Sequence, residues 1–113
     1  MTHESRLTRE LRALLQTQRV AALGTLCEDG APLLSMVPFA IEAGQPCLVI
    51  HVSGLAAHTR NLQSSPRISL MVMRAEAEGE PVHALPRVTL EGRAEVLVPA
   101  SPPWQACRAA YLA

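Results

Sequence analysis

RVAALGTLC, residues 19–27, runs through Glu28-Asp29-Gly30 into PLLSMVPFAI, residues 32–41. Two apolar runs divided by Asp-Gly form a strong hairpin signal, because those residues tolerate the backbone angles of a tight turn. This hairpin makes the first half of the chain antiparallel β. Pro38 lies inside the second run and has no N–H to donate. It marks an edge, a bulge, or a place where something other than a neighbouring strand takes the backbone bonds.

Working outward, the turn EAGQP leads to CLVIHVS, 47–53, which predicts three consecutive strands in a meander. Leu55 to Ser64 reads as a short helix ended by Ser-Ser-Pro. RISLMVM, 67–73, and RVTLEGRAEVLV, 87–98, read as a fourth and fifth strand, with Gly92 marking a bulge or tight bend. The segment between them, RAEAEGEPVHALP, is a polar loop. Upstream, SRLTRELRALLQT, 5–17, places Leu7, Leu11, Leu14 and Leu15 at helical spacing behind a Ser5 N-cap. Ser101-Pro102-Pro103 opens a last helix that stops without a cap at Ala113. Four to five strands joined mostly by hairpins, with few helices, predict a mainly β (α+β) fold, a small antiparallel barrel.

Composition narrows the function. The 113 residues suffice for one domain with a real core, and the 49% apolar content fits a globular chain. Ten basic residues balance ten acidic ones, which argues against a broad nucleic-acid or membrane-surface footprint. No apolar run approaches the ~20 residues that span a bilayer, and the polar N-terminus does not read as a signal peptide. Three cysteines, at 27, 47 and 107, have no CxxC spacing. They read as reduced, mostly buried thiols of a cytoplasmic protein. His51 and His83 lack metal-site spacing, so no metal site is expected.

HVSGLAAHTRNLQSSPR, 51–67, concentrates donors where the third strand meets the short helix. Unpaired N–H groups at a helix start, with Ser53, His58, Thr59 and Arg60 beside them, suit a phosphate. The ordinary alternative is a Ser53 cap with a solvated Arg60 and an incidental His58.

The run RVAALGTL–DG–P–LLSMVPFAI–LVIHVSGLAAHTRNLQSSPRISLMVM, continued by PRVTLEGRAEVL, resembles the pyridoxamine 5′-phosphate oxidase-like, FMN-binding split-barrel superfamily. It is most similar to the pyridoxamine 5′-phosphate oxidase-related or haem-utilisation branch, over about residues 7–98. The resemblance implies a split antiparallel β-barrel with a few flanking helices, working as a homodimer with FMN at the interface. Ser35, Met36, Val37 and Pro38, within SMVPFA, would lie along the flavin. His51, Val52, Ser53, His58, Thr59 and Arg60 would hold its phosphate, and Arg87 would reach the partner's flavin. The implied function is flavin-dependent redox chemistry on an unnamed small molecule, with no catalytic side chain indicated. The alternatives are haem binding or haem utilisation, or a non-catalytic flavin-binding module, on the same barrel.

Departures from the family pattern bear on the substrate. Ser35 and Ala40 stand where the oxidases carry arginine and lysine, and Ala57-His58 where they carry an Arg-Lys pair. Loss of these cations argues against pyridoxamine phosphate oxidation, leaving His58 and Thr59 to meet the FMN phosphate with less charge. Family members usually continue with a further strand, so the single domain 1–113 reads as truncated at its C-terminus, with an exposed edge and reduced flavin affinity.

Overall fold

The computed structural model describes residues 5–44, 47–52 and 56–113. Helix α1 (Arg6–Thr17) precedes strands β1 (Val20–Leu26), β2 (Pro32–Pro38), β3 (Ala40–Glu42) and β4 (Cys47–Val49). Helix α2 (Ala57–Ser64), strand β5 (Arg67–Met73), a short 3-10 helix (Val82–Ala84), strand β6 (Arg87–Arg93) and helix α3 (Pro102–Leu112) follow. All pairing is antiparallel, in a four-stranded sheet of order β2-β1-β5-β6 and a two-stranded sheet β3-β4. The α+β split-barrel class expected from the sequence is the class observed.

The Asp-Gly hairpin forms as its chemistry requires. Gly30 sits at φ 86°, and the Asp29 carboxylate accepts from the Ala31 N–H at 3.0 Å. β1 and β2 then pair in full register from Leu26↔Pro32 to Val20↔Pro38. The expected meander does not continue beyond them. Pro38 ends the ladder on the outer strand β2, and the chain crosses at Phe39 into the separate β3-β4 hairpin. Pro38 therefore marks an edge.

Two further expectations change. Gly92 pairs in regular register with Ile68, without a bulge, and nothing lies within 4 Å of where a Cβ would stand. The fifth apolar run ends as a strand at Arg93, short of Val98. Both long-helix caps are as read: the Thr8 N–H donates to Ser5 Oγ at 3.1 Å, and the Trp104 N–H to Ser101 Oγ at 3.4 Å.

One face of the large sheet makes the core. Ala21 and Leu23 of β1, Val37 of β2, and Leu70 and Val72 of β5 are buried with Phe39 and with Leu14 of α1. Ile68, Val88, Leu90, Leu48 and Ile50 pack around them. Leu23 and Val72 are wholly inaccessible, each burial contributing about 1.5–3 kcal/mol.

Candidate functional site

Helix α2 is fixed to the sheet by polar side chains on its inner face. Asn61 donates through Nδ2 to Thr25 Oγ1 at 3.0 Å, a buried contact, and to Cys27 Sγ at 3.5 Å. One turn earlier, His58 Nδ1 meets Ser35 Oγ at 3.2 Å. His58 Nε2 is also buried and has no hydrogen-bond partner. These contacts set the rotation of α2: Thr59 and Asn61 turn inward, and Arg60 is exposed.

That rotation separates the residues expected to form a phosphate cluster. The helix begins at Ala57 behind an Ala56 cap that makes no side-chain bond, and the Thr59 N–H already donates to Ala56 O at 3.1 Å. His58 is directed to Ser35, Thr59 is buried, and Arg60 lies on the outer surface. Ser53 lies outside the described residues. Val52 is half-buried, and exposed His51 sits against α3, its ring centroid 6.0 Å from that of Tyr111.

SMVPFA alternates across the sheet and does not offer one surface. Ser35 and Val37 face the interior, while Met36 and Pro38 face outward. What the outward residues join is a broad apolar face. The register aligns Met36, Ala22, Met71 and Thr89 in one row across the four strands. Leu34, Gly24, Ser69 and Glu91 lie in the next. At the β6 end Met73 stands opposite Arg87, whose Nη1 donates to Leu85 O at 3.2 Å. Leu34 is 75% exposed and Met36 70%, and a shallow groove of about 310 Å³ runs between these side chains and those of Val20, Met71 and Met73. That volume is at the lower end of the ~300–1,000 Å³ range of small-molecule sites.

Leu34 is the residue of this face that the sequence reading missed, while Met71 and Met73 read there as core or flavin-facing packing. The signal was present in β1, β2 and β5, which are apolar at consecutive positions, the pattern of strands covered on both faces. Among the described residues, no group of three or more His, Cys, Asp or Glu is placed to hold a metal ion. No described helix is long and apolar enough to cross a membrane.

A two-sheet antiparallel barrel flanked by helices, with one sheet face packed and the other bare and apolar, defines the split-barrel class. The chain belongs to the pyridoxamine 5′-phosphate oxidase family, whose model matches residues 7–112. It is 29% identical over 89% of its length to the haem oxygenase HutZ of Vibrio cholerae, of which it covers 56%. The HutZ crystal structure superimposes with a TM-score of 0.81, over 93% of this chain and 72% of that one. The chloroplastic haem oxygenase HOZ of Arabidopsis thaliana is 37% identical over 98% of this chain, which spans 35% of that protein. A haem-binding protein from Mycobacterium smegmatis gives a TM-score of 0.81 at 36% identity, covering 98% of this chain and 44% of that one. The chain thus spans about half or less of the length of the curated relatives it matches.

These relatives are named for haem and not for flavin. That finding overturns the expectation of FMN as cofactor and of flavin-dependent oxidoreduction as function.

Proposed function

We propose that this protein binds haem and serves in haem utilisation, holding the macrocycle against the bare face of the four-stranded sheet. The observation that carries the reading is the match, over nearly the whole chain, to the haem-binding protein of M. smegmatis. The residues present suit the ligand. A flat, exposed face of Leu34, Met36, Met71 and Met73 is complementary to a planar apolar ring, and thioethers adapt to irregular contacts. Arg87, beside Met73, supplies a cation for the carboxylates that haem carries. Haem would bring a redox-active iron. The chain's part is to orient the ring, shield one side from water and supply an imidazole.

Exposure sorts the histidines. His51 and His83 are exposed, so either can be replaced without disturbing the core. His58 is tied to Ser35 with its other nitrogen buried, and is a packing residue in this reading.

A second copy of the chain completes the site. The accessible surface is 8431 Å², against about 6,100 Å² for a folded monomer of 12.2 kDa. The excess is larger than the ~800 Å² per partner of a standard interface. We place the protein in a reducing compartment such as the cytoplasm, consistent with its free thiols.

Titration with hemin, followed by the Soret band, tests the reading. Saturation at a fixed stoichiometry is expected, with the band weakened or shifted by one of His51→Ala and His83→Ala and unaltered by the other. Affinity should fall about tenfold in Arg87→Ala. Hemin spectra that never saturate, or that neither histidine variant changes, would overturn it. A reductant with oxygen added to the loaded protein then reads haem breakdown separately, as loss of the band.

A further inference from the structure

Strand β2 is an outer strand, hydrogen-bonded among the described residues to β1 alone. Which of its backbone groups point away from β1 follows from the two ends of the ladder. The Cys27 N–H donates to Ala31 O at 2.8 Å, and the Phe39 N–H to Arg19 O at 3.0 Å. Opposite residues of an antiparallel pair exchange bonds at every second position. Both ends therefore place Leu33, Ser35 and Val37 in bonding register with Thr25, Leu23 and Ala21 of β1. The C=O groups of Pro32, Leu34, Met36 and Pro38 project outward. Only Leu34 and Met36 add N–H groups there, because proline has none.

We propose that this margin is where a second copy of the chain docks, β2 against β2, about a twofold axis at Ser35. The proposal deepens the reading that a second copy completes the site, and rests on it. Turned antiparallel about that axis, Leu34 stands opposite Met36 of the partner subunit, and Met36 opposite Leu34 of the partner subunit. Each of these pairs exchanges two N–H···O bonds, so every outward N–H of both strands finds an acceptor. Pro32 meets Pro38 of the partner subunit, so the positions that lack a donor face each other and interrupt no bond. Sliding one strand by two residues sets a proline opposite Leu34 or Met36 and shortens the seven-residue overlap by two. The strand is self-complementary in one register, as a twofold contact requires.

Side chains and area agree with that occupant. Residues 31–39 carry no charge, so two copies meet there without burying one. Leu34 and Met36 are exposed apolar side chains on one face, and the cross-strand pairs cover each with the other. The chain also exposes more surface than a folded monomer of its mass, by more than the ~800 Å² that each partner of a standard interface buries. Joined in this way, the two four-stranded sheets become one, and their bare faces run together across the seam. The groove beside Met36 then has its counterpart just beyond the axis.

Ser35→Cys tests the axis. Facing residues at a non-bonding position bring their Cα atoms to about 4.5 Å, within reach of a disulfide. Mild oxidation of the dilute protein should link most chains in pairs through position 35, with Cys27, Cys47 and Cys107 still alkylatable in peptide maps. Met36→Pro removes an outward N–H and no bond to β1. It should raise the dimer dissociation constant by about 30-fold or more in light scattering, with the far-ultraviolet circular dichroism unchanged. Should Met36→Pro fail to fold, the crosslink alone decides. A dimer whose Ser35→Cys chains stay unlinked, or which folded Met36→Pro leaves as tight as before, would overturn the seam while the second copy stands. A protein that is monomeric at every concentration would overturn both, and hemin titration of the same sample reads haem binding apart from either.

Discussion

The side chains that join α2 to the sheet show how much a few polar atoms decide. Thr25 and Asn61 are both buried, and each satisfies the other. Thr25→Val keeps the shape but leaves the Asn61 amide to the weaker Cys27 sulfur contact at 3.5 Å. It is expected to cost about 1–3 kcal/mol, read from the urea midpoint. His58 presents the contrasting case, with Nδ1 at Ser35 and Nε2 buried without a partner. In sequence, His58-Thr59-Arg60 looks like a donor cluster, since composition carries no information about helix rotation. The helix described from Ala57, together with the Asn61 anchor, turns two of the three side chains inward, and Leu55, its expected start, lies outside the described residues. Within that stretch His58, Thr59 and Asn61 take part in packing, and Ser53 lies outside the described residues.

Among elements, α3 carries the most consequence, since it closes the β3-β4 side of the molecule. Ser101 caps it by accepting from the Trp104 N–H, and its Oγ also donates to Val98 O at 2.6 Å, tying the cap to the preceding turn. Ser101→Ala should cost about 1 kcal/mol, seen as faster amide exchange in α3 and a melting point lower by roughly 4–5 °C. This cap and the Asp29-Gly30 turn were legible because each depends on residues a few positions apart. The division into two sheets was not. Alternation through Val37 and Phe39 is satisfied whether the next strand pairs with β2 or forms a new hairpin, and the addition of β5 beside β1 depends on contacts between residues far apart in the chain. Gly92 misled for the opposite reason. Its position is open, so glycine there answers no steric demand.

For the whole molecule, the unequal faces of the large sheet dominate. The inner face is closed by α1 and α2, while the outer presents Met36, Met71 and Leu34 to solvent. A radius of gyration of 15.5 Å exceeds the ~13 Å of a compact chain this long. Met36→Asp places a charge at the middle of that face and should cost about 2 kcal/mol per contact. A symmetric dimer carries the change twice and should then dissociate at roughly 1,000-fold higher concentration, measured by light scattering over a dilution series. An unchanged dimer would show that the contact lies elsewhere on the surface.

Strand β6 occupies the open side of the sheet, hydrogen-bonded among the described residues to β5 alone. Such a margin invites strand addition, the first event in fibrous aggregation. Arg87, Glu91 and Arg93 recur along it, all exposed. A foreign strand docking there would have to strip water from charges of both signs. Those charges guard the β6 margin against fibril growth, a guard that the uncharged outer strand β2 does not share.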